Sequence, residues 1–267
     1  MRAMTFASRN IKELLRDPLS YLFCLGFPLL MLVVMTVVNS SIPEPNFPEG
    51  VPIPEGTAMS PTVFQIQKLT PAIAVFGLSF LSLFCCLRVS SDRSSTFLMR
   101  LYASPMKGID YILGYFFPFA GIALAQIILT YIAGDIIAVV TGKDAFNVGY
   151  MLLSLVLFLP AMLIFIGLGI LMGVLFNEKA APGVCSAIIT AASLLGGVWM
   201  DIEQMGGVLL SICDKLPFYH SVQAARFALV GNFSEIGIPL AVCSAYAVVI
   251  FALSVFAFIK KMQSDKR

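Results

Sequence analysis

Long uncharged stretches dominate the pattern of this chain. Apolar runs cover residues 19–38, 68–87, 110–140, 149–176, 181–199 and 238–259. A helix rises about 1.5 Å per residue, so roughly 20 such residues cross the ~30 Å hydrocarbon layer of a bilayer. The pattern therefore predicts an all-α membrane protein with six transmembrane helices. The third and fourth runs exceed the required length, which implies tilt or protrusion. Pro118 and Pro160 fall mid-span and predict kinks that neighbouring helices accommodate. Gly169 and Gly173 form a small-xxx-small pair that lets a second helix approach closely.

The flanking segments follow other periods. Between Thr5 and Arg16, the residues Phe6, Ile11, Leu14 and Leu15 recur at helical spacing, while Arg9, Lys12, Glu13 and Arg16 fall mostly elsewhere on the wheel. This predicts an amphipathic helix over 5–17 lying at the membrane interface. Asp17 and Pro18 supply the turn into the first span, since Pro is comfortable in a first helical turn. Residues 39–62 carry six prolines and read as an extended connection, too short for a separate outer domain. Residues 200–237 mix Asp201, Glu203, Lys215, His220 and Arg226 with apolar stretches too short to span. They predict two re-entrant half-helices between spans 5 and 6, separated around Asp214–Pro217 and capping a pathway from the outside.

Charge fixes an orientation. With the N-terminus in the cytoplasm, thirteen of the 17 Lys and Arg residues fall inside and four outside (Lys68, Lys143, Lys215, Arg226). The positive-inside rule then places both termini in the cytoplasm. Composition agrees: 59% hydrophobic and 12% charged, against about 45–50% and about 25% in soluble domains. No basic face or tail suggests nucleic acid. All six cysteines except Cys213 lie in apolar runs, without zinc-site spacing or a disulfide framework, and read as small apolar fillers. The first run is longer than a signal-peptide core and lacks a small-x-small cleavage site, so a cleavable leader is not expected.

Candidate chemistry is sparse. No G-x-x-x-x-G-K-[ST] occurs, so the chain is not expected to bind ATP by a P-loop; no H-E-x-x-H occurs either. The stretch "GLSF" at 77–80 resembles the serine motif of rhomboid-like proteases, yet Ser79 is mid-membrane and the one histidine, His220, lies in the outer segment. An intramembrane serine protease is thus a remote alternative. Asp135 is the one candidate for an ion-path charge within a span and reads as an interfacial carboxylate. A secondary carrier or channel stays open as a second reading, although buried polar groups and repeated halves are lacking. Residues 88–109, "RVSSDRSSTFLMRLYASPMKGI", carry Arg88, Arg93, Arg100 and Lys107 around a short amphipathic helix. Phe97, Leu98, Leu101 and Tyr102 form its apolar face and Pro105 ends it. Such a helix on the cytoplasmic side suits a groove in a partner protein.

Three stretches together resemble the ABC-2 type membrane subunits, the permeases of ABC exporters: "RNIKELLRDPLSYLFCLGFPLLMLV" (9–33), "TFLMRLYASPMKGIDYILGYF" (96–116) and "LPFYHSVQAARFALVG" (216–231). Arg9, Arg16, Asp17 and Pro18, followed by Phe27 and Pro28, match the family's opening. Thr96, Leu101, Ser104 and Pro105 match its inner loop, in which "DRSST" replaces the usual glutamate and glycine. The resemblance implies a single transmembrane domain with a coupling helix at about 93–105, docked on a cytoplasmic ABC ATPase through Arg93, Thr96, Phe97, Arg100, Leu101 and Pro105. It implies a second, shorter contact around 177–182, including Glu178 and Lys179, and an outer gate at Pro217, Phe218, Tyr219, His220 and Arg226. It further implies a second permease copy or a related permease. ATP and Mg would reside in the partner ATPase, with no cofactor in this chain and membrane lipid around it. The expected cargo is hydrophobic or amphipathic: a drug, an antibiotic peptide or a lipid.

Overall fold

The computed structural model describes residues 2–41, 66–94, 108–199 and 202–264. Among these, every regular element is helical. Helix α1 is Arg2–Leu14. Asp17 accepts hydrogen bonds from the Leu19 and Ser20 amides, and Pro18 opens the next helix, as the sequence implies. That helix, α2, comprises Pro18–Tyr21, a π-helical segment Leu22–Gly26, and Phe27–Ser41. The π segment sits just before Pro28. Proline lacks an N–H and crowds the carbonyl four residues back, here that of Cys24; widening the helix relieves both problems.

Helix α3 is Ile66–Ser94, α4 is Gly108–Val140, α5 is Val148–Leu157 and α6 is Leu159–Leu175. Helix α7 is Ala181–Leu195. Then come short α8 (Ile202–Met205) and α9 (Gly207–Cys213), the longer α10 (Pro217–Val230) and α11 (Gly237–Ser264). Among the described residues, five helical stretches are long and apolar enough to cross a bilayer: α2, α3, α4, α5 with α6, and α11. The chain is therefore read as a multi-pass membrane protein.

The run at 181–199 yields a helix of only 15 residues, about 22 Å at 1.5 Å per residue. Gly196 ends it, and Gly197 follows at φ +69°, a left-handed conformation that glycine adopts without strain. Pro160 does not kink a continuous span. The helix stops at Phe158 and restarts with Pro160 in the first turn of α6. Pro118, by contrast, lies inside an unbroken α4.

Helix α3 occupies the centre. In its apolar stretch 72% of residues are buried, against 17% in that of α2. It packs on α2, α4, α6, α7 and α10. Gly169 and Gly173 bring α6 against it: an added Cβ would stand 2.6 Å from the Ser82 carbonyl oxygen at Gly169 and 2.7 Å from that of Cys86 at Gly173. The expected small-residue contact is thus made, and its partner is α3. All six cysteines are buried free thiols.

Candidate functional site

Helix α1 and the turn that follows it carry four stripes. Phe6, Ala7, Asn10 and Leu14 face protein and are buried. Met4, Ile11 and Leu15 are apolar and exposed. Lys12 and Arg16 are polar and exposed. Arg9 and Glu13 turn toward α3. A spacing of about 100° per residue generates these stripes. The predicted amphipathic helix forms, but its most buried side chains rest on α4 rather than facing outward. Phe6 meets the rings of Tyr111 and Tyr115 edge-on at 5.9 and 5.1 Å.

Asn10 has a specific task. Pro118 has no N–H, so the Gly114 carbonyl four residues earlier loses its helical partner. The Asn10 side-chain amide donates to that carbonyl at 2.9 Å. Gly114 itself lets Phe6 close in, since a Cβ there would stand 2.1 Å from the Phe6 ring.

The end of α3 beside α1 holds a four-membered ionic cluster. Arg9 pairs with Glu13 at 2.9 Å and with Asp92 at 3.3 Å. Arg88 pairs with Asp92 at 3.3 Å and with Glu13. The Tyr115 hydroxyl donates to Asp92 at 2.9 Å. The Asp92 side chain is only 6% exposed. Two cations and two anions thus neutralise one another, which a buried carboxylate requires. No sequence motif announces this cluster. Its faint signals were the i,i+4 pairs Arg9/Glu13 and Arg88/Asp92 and an aspartate amid basic residues.

Two of the predicted contact regions meet next door. Arg93 was expected to open a separate coupling helix, but α3 runs on through Ser94 and Arg93 lies in its last turn. Its guanidinium donates to the carbonyls of Gly173 (2.9 Å), Val174 and Phe176 (3.4 Å). These are carbonyls at the C-terminal end of α6, where a cation also complements the helix dipole. Ser94 donates to a Glu178 carboxylate oxygen at 3.1 Å. Lys179 beside it is exposed. Thr96, Phe97, Arg100, Leu101 and Pro105 lie outside the described residues.

The opposite end holds a different arrangement. Pro217 begins α10, and Phe218 packs on Phe165 at 5.8 Å between ring centroids. Tyr219 donates to Glu203 at 3.1 Å, and Gln223 donates to both the Tyr219 oxygen (2.9 Å) and Glu203. Burial pushes the Tyr219 phenol up to about 12, so it remains a donor through the physiological range. His220 is buried, with Nε2 2.7 Å from the Asp214 carbonyl oxygen. Arg226 is 8% exposed. It donates to the Lys68 carbonyl at 2.9 Å and to that of Gly197 at 3.0 Å, tying α10 to the first turn of α3 and to the end of the α7 segment.

Remaining candidates are engaged locally. Asp135 accepts from the Phe146 amide at 2.7 Å and so holds the α4–α5 connection. Ser79 donates to the Phe76 carbonyl of its own helix at 2.6 Å, and His220 points to Asp214. Neither of their described hydrogen bonds joins Ser79 to His220 as nucleophile and base. The described residues contain no cluster of three or more metal-ligating side chains.

The chain is 26% identical over 246 residues to the Bacillus subtilis (strain 168) protein named "Putative transport permease YvfS", covering 92% of each. A model of the ABC-2 type transporter family matches residues 2–230, the stretch from α1 through α10. The chain belongs to the ABC-2 type transporter family.

Proposed function

We propose that this chain is the membrane permease of an ATP-driven exporter, with hydrolysis performed by a separate cytoplasmic ABC ATPase. Its family consists of membrane subunits without an ATPase site of their own, in keeping with the missing P-loop. We place both termini and the Ser94 end of α3 in the cytoplasm of a bacterial plasma membrane, on the charge asymmetry of the connections. The helices α8–α10 then lie on the outer side as the re-entrant gate, and α7 serves as a short sixth span. A second copy, or a related permease, completes the pathway.

One observation carries the mechanism: α3 physically joins the two sites. It is 29 residues long, about 43 Å at 1.5 Å per residue. One end holds Arg88, Asp92 and Arg93; at the other, the Lys68 carbonyl is held by Arg226. ATP-driven approach of the two ATPase subunits pushes on the 93–105 and 177–182 segments. Helix α3, wedged at the centre, passes the displacement to the outer helices. The coupling is the difference in ATPase affinity between inward and outward states. The pathway then exposes mainly apolar surface, which suits a hydrophobic or amphipathic cargo.

Purification in mild detergent from its native membrane tests this. An ATP-hydrolysing subunit is expected to co-purify, and vesicles containing both chains are expected to accumulate lipophilic dye only with ATP. Accumulation without ATP that collapses with the proton gradient would establish a secondary carrier instead.

A further inference from the structure

At the end carrying the ionic cluster, α1, α2 and α4 do not close on one another. They leave a furrow of about 250 Å³, walled by Ile11 and Leu14 of α1, Tyr21 and Leu25 of α2, and Pro118 and Gly121 of α4. Its depth in the membrane follows from α3 and α4, which run side by side. Tyr115 reaches Asp92, and Gln126 lies on Gly77. Residues 118–125 therefore sit between the ionic cluster and mid-membrane, in the leaflet on the cluster's side.

The floor is built to stay open. A Cβ on Gly121 would meet nothing within 4 Å. Glycine in a helix interior is less favourable than alanine by about 1 kcal/mol, and here no neighbouring side chain requires it. The floor is also free of polar demand, because the carbonyl exposed by Pro118 is already satisfied by Asn10. An apolar chain can lie there without burying an unpaired polar group.

The rim is charged. Moving around α1 from the furrow wall, Leu14 and Ile11 give way to exposed Leu15 and then to Lys12 and Arg16. Both cations are exposed, and among the described residues neither has an ionic partner, whereas Arg9 and Arg88 each pair with two carboxylates of the cluster. An apolar slot beside a helix that turns two exposed cations outward matches one class of molecule. We propose that the furrow binds one anionic phospholipid of the adjoining leaflet, with an acyl chain along Gly121 and Pro118 and its phosphate at Lys12 and Arg16. The lipid fills the gap between α1 and the spans, and so seats the helix that carries Arg9 and Glu13 against α3. That this leaflet is the cytoplasmic one rests on the orientation proposed above; the site itself does not.

Native mass spectrometry of the full chain released from bilayers of phosphatidylglycerol or phosphatidylcholine tests the proposal. One phosphatidylglycerol is expected to stay on each chain, with phosphatidylcholine retained at least tenfold less. G121F fills the slot and is expected to lower retention about tenfold, as loss of several buried methylenes requires. K12Q and R16Q are each expected to lower it about fivefold. G183F, at another glycine with open surroundings, is the control for insertion and folding and is expected to retain lipid. Equal retention of the two lipids, or retention unchanged in G121F, overturns the site. If G121F instead abolishes self-association and leaves bound lipid intact, the furrow is an interface with a second copy, and the proposal is likewise overturned. Assaying ATPase co-purification on the same samples separates the two readings. Partner without lipid sinks only this site; lipid without partner sinks only the permease reading.

Discussion

The two ends of α3 are held by arginines in opposite ways. At the Ser94 end, Arg9 and Arg88 face the carboxylates of Glu13 and Asp92, and each charge has more than one partner. At the Ile66 end, Arg226 grips two backbone carbonyls, Lys68 and Gly197. Carboxylate side chains can change rotamer and exchange partners; backbone carbonyls move only when their helices move. The ionic end is therefore suited to yield and re-form under force from outside. The Arg226 end is suited to hold α10 to α3 as one unit.

Removing the most buried carboxylate is the severest way to break this contrast. Asp92→Asn leaves Arg9 and Arg88 facing a neutral group. Stranding buried charges costs about 3–5 kcal/mol. Both arginines keep Glu13 and some water, so the lower figure, about 3 kcal/mol, is expected. Unfolding of the purified chain in mixed micelles, followed by helical circular dichroism, measures it. A loss below about 1 kcal/mol would mean the cluster is no more than a surface feature.

The other end should give less. Arg226→Gln removes two charge-assisted hydrogen bonds at a buried site, with an expected loss of about 2 kcal/mol. Arg226→Lys should recover under half of it, because one ammonium cannot present the guanidinium's fork to two carbonyls. Salt sharpens the comparison. Glu13 is 35% exposed, so Glu13→Gln should cost about 1 kcal/mol at low ionic strength. That deficit should shrink as salt rises to about 0.5 M, while the Arg226→Gln deficit stays constant. Equal salt dependence at the two ends would erase the distinction.

What could be read from the sequence follows the range of the forces. Five of the six predicted spans were legible because lipid imposes long apolar runs, and α1 because its stripes repeat within a few residues. Gly169 and Gly173 announced a close approach without naming α3 as the neighbour. The limits of α7 were missed because an apolar count runs through Gly196 and Gly197, whereas the backbone turns there. Arg93 was read as part of a coupling helix for a partner protein, and Asp92 as part of the same connection. Their actual partners, the C-terminal carbonyls of α6 and the guanidinium of Arg9, lie about 80 residues away in sequence, and no local pattern encodes such a pairing. Arg226 was picked out for being a cation in an apolar stretch, but its two carbonyl partners were invisible for the same reason.

The finest contrast lies within α1 itself, between its ionic stripe and its neutral anchor at Asn10. Asn10→Ala leaves the Gly114 carbonyl without a donor, and the expected loss is about 1 kcal/mol. If Pro118 creates that need, the loss must depend on Pro118. In a Pro118→Ala background, residue 118 regains an N–H and can donate to Gly114 as in any α-helix. There Asn10→Ala should cost only about half as much, a coupling of about 0.5 kcal/mol in the double-mutant cycle, near the lower limit for residues in direct contact. The cycle is read from the same unfolding curves. Strict additivity would show that Asn10 anchors α1 by packing alone. Coupling of the expected sign would show that α1 is fixed to α4 by a carbonyl that proline left open, and that this anchor holds its place while the charges beside it change partners.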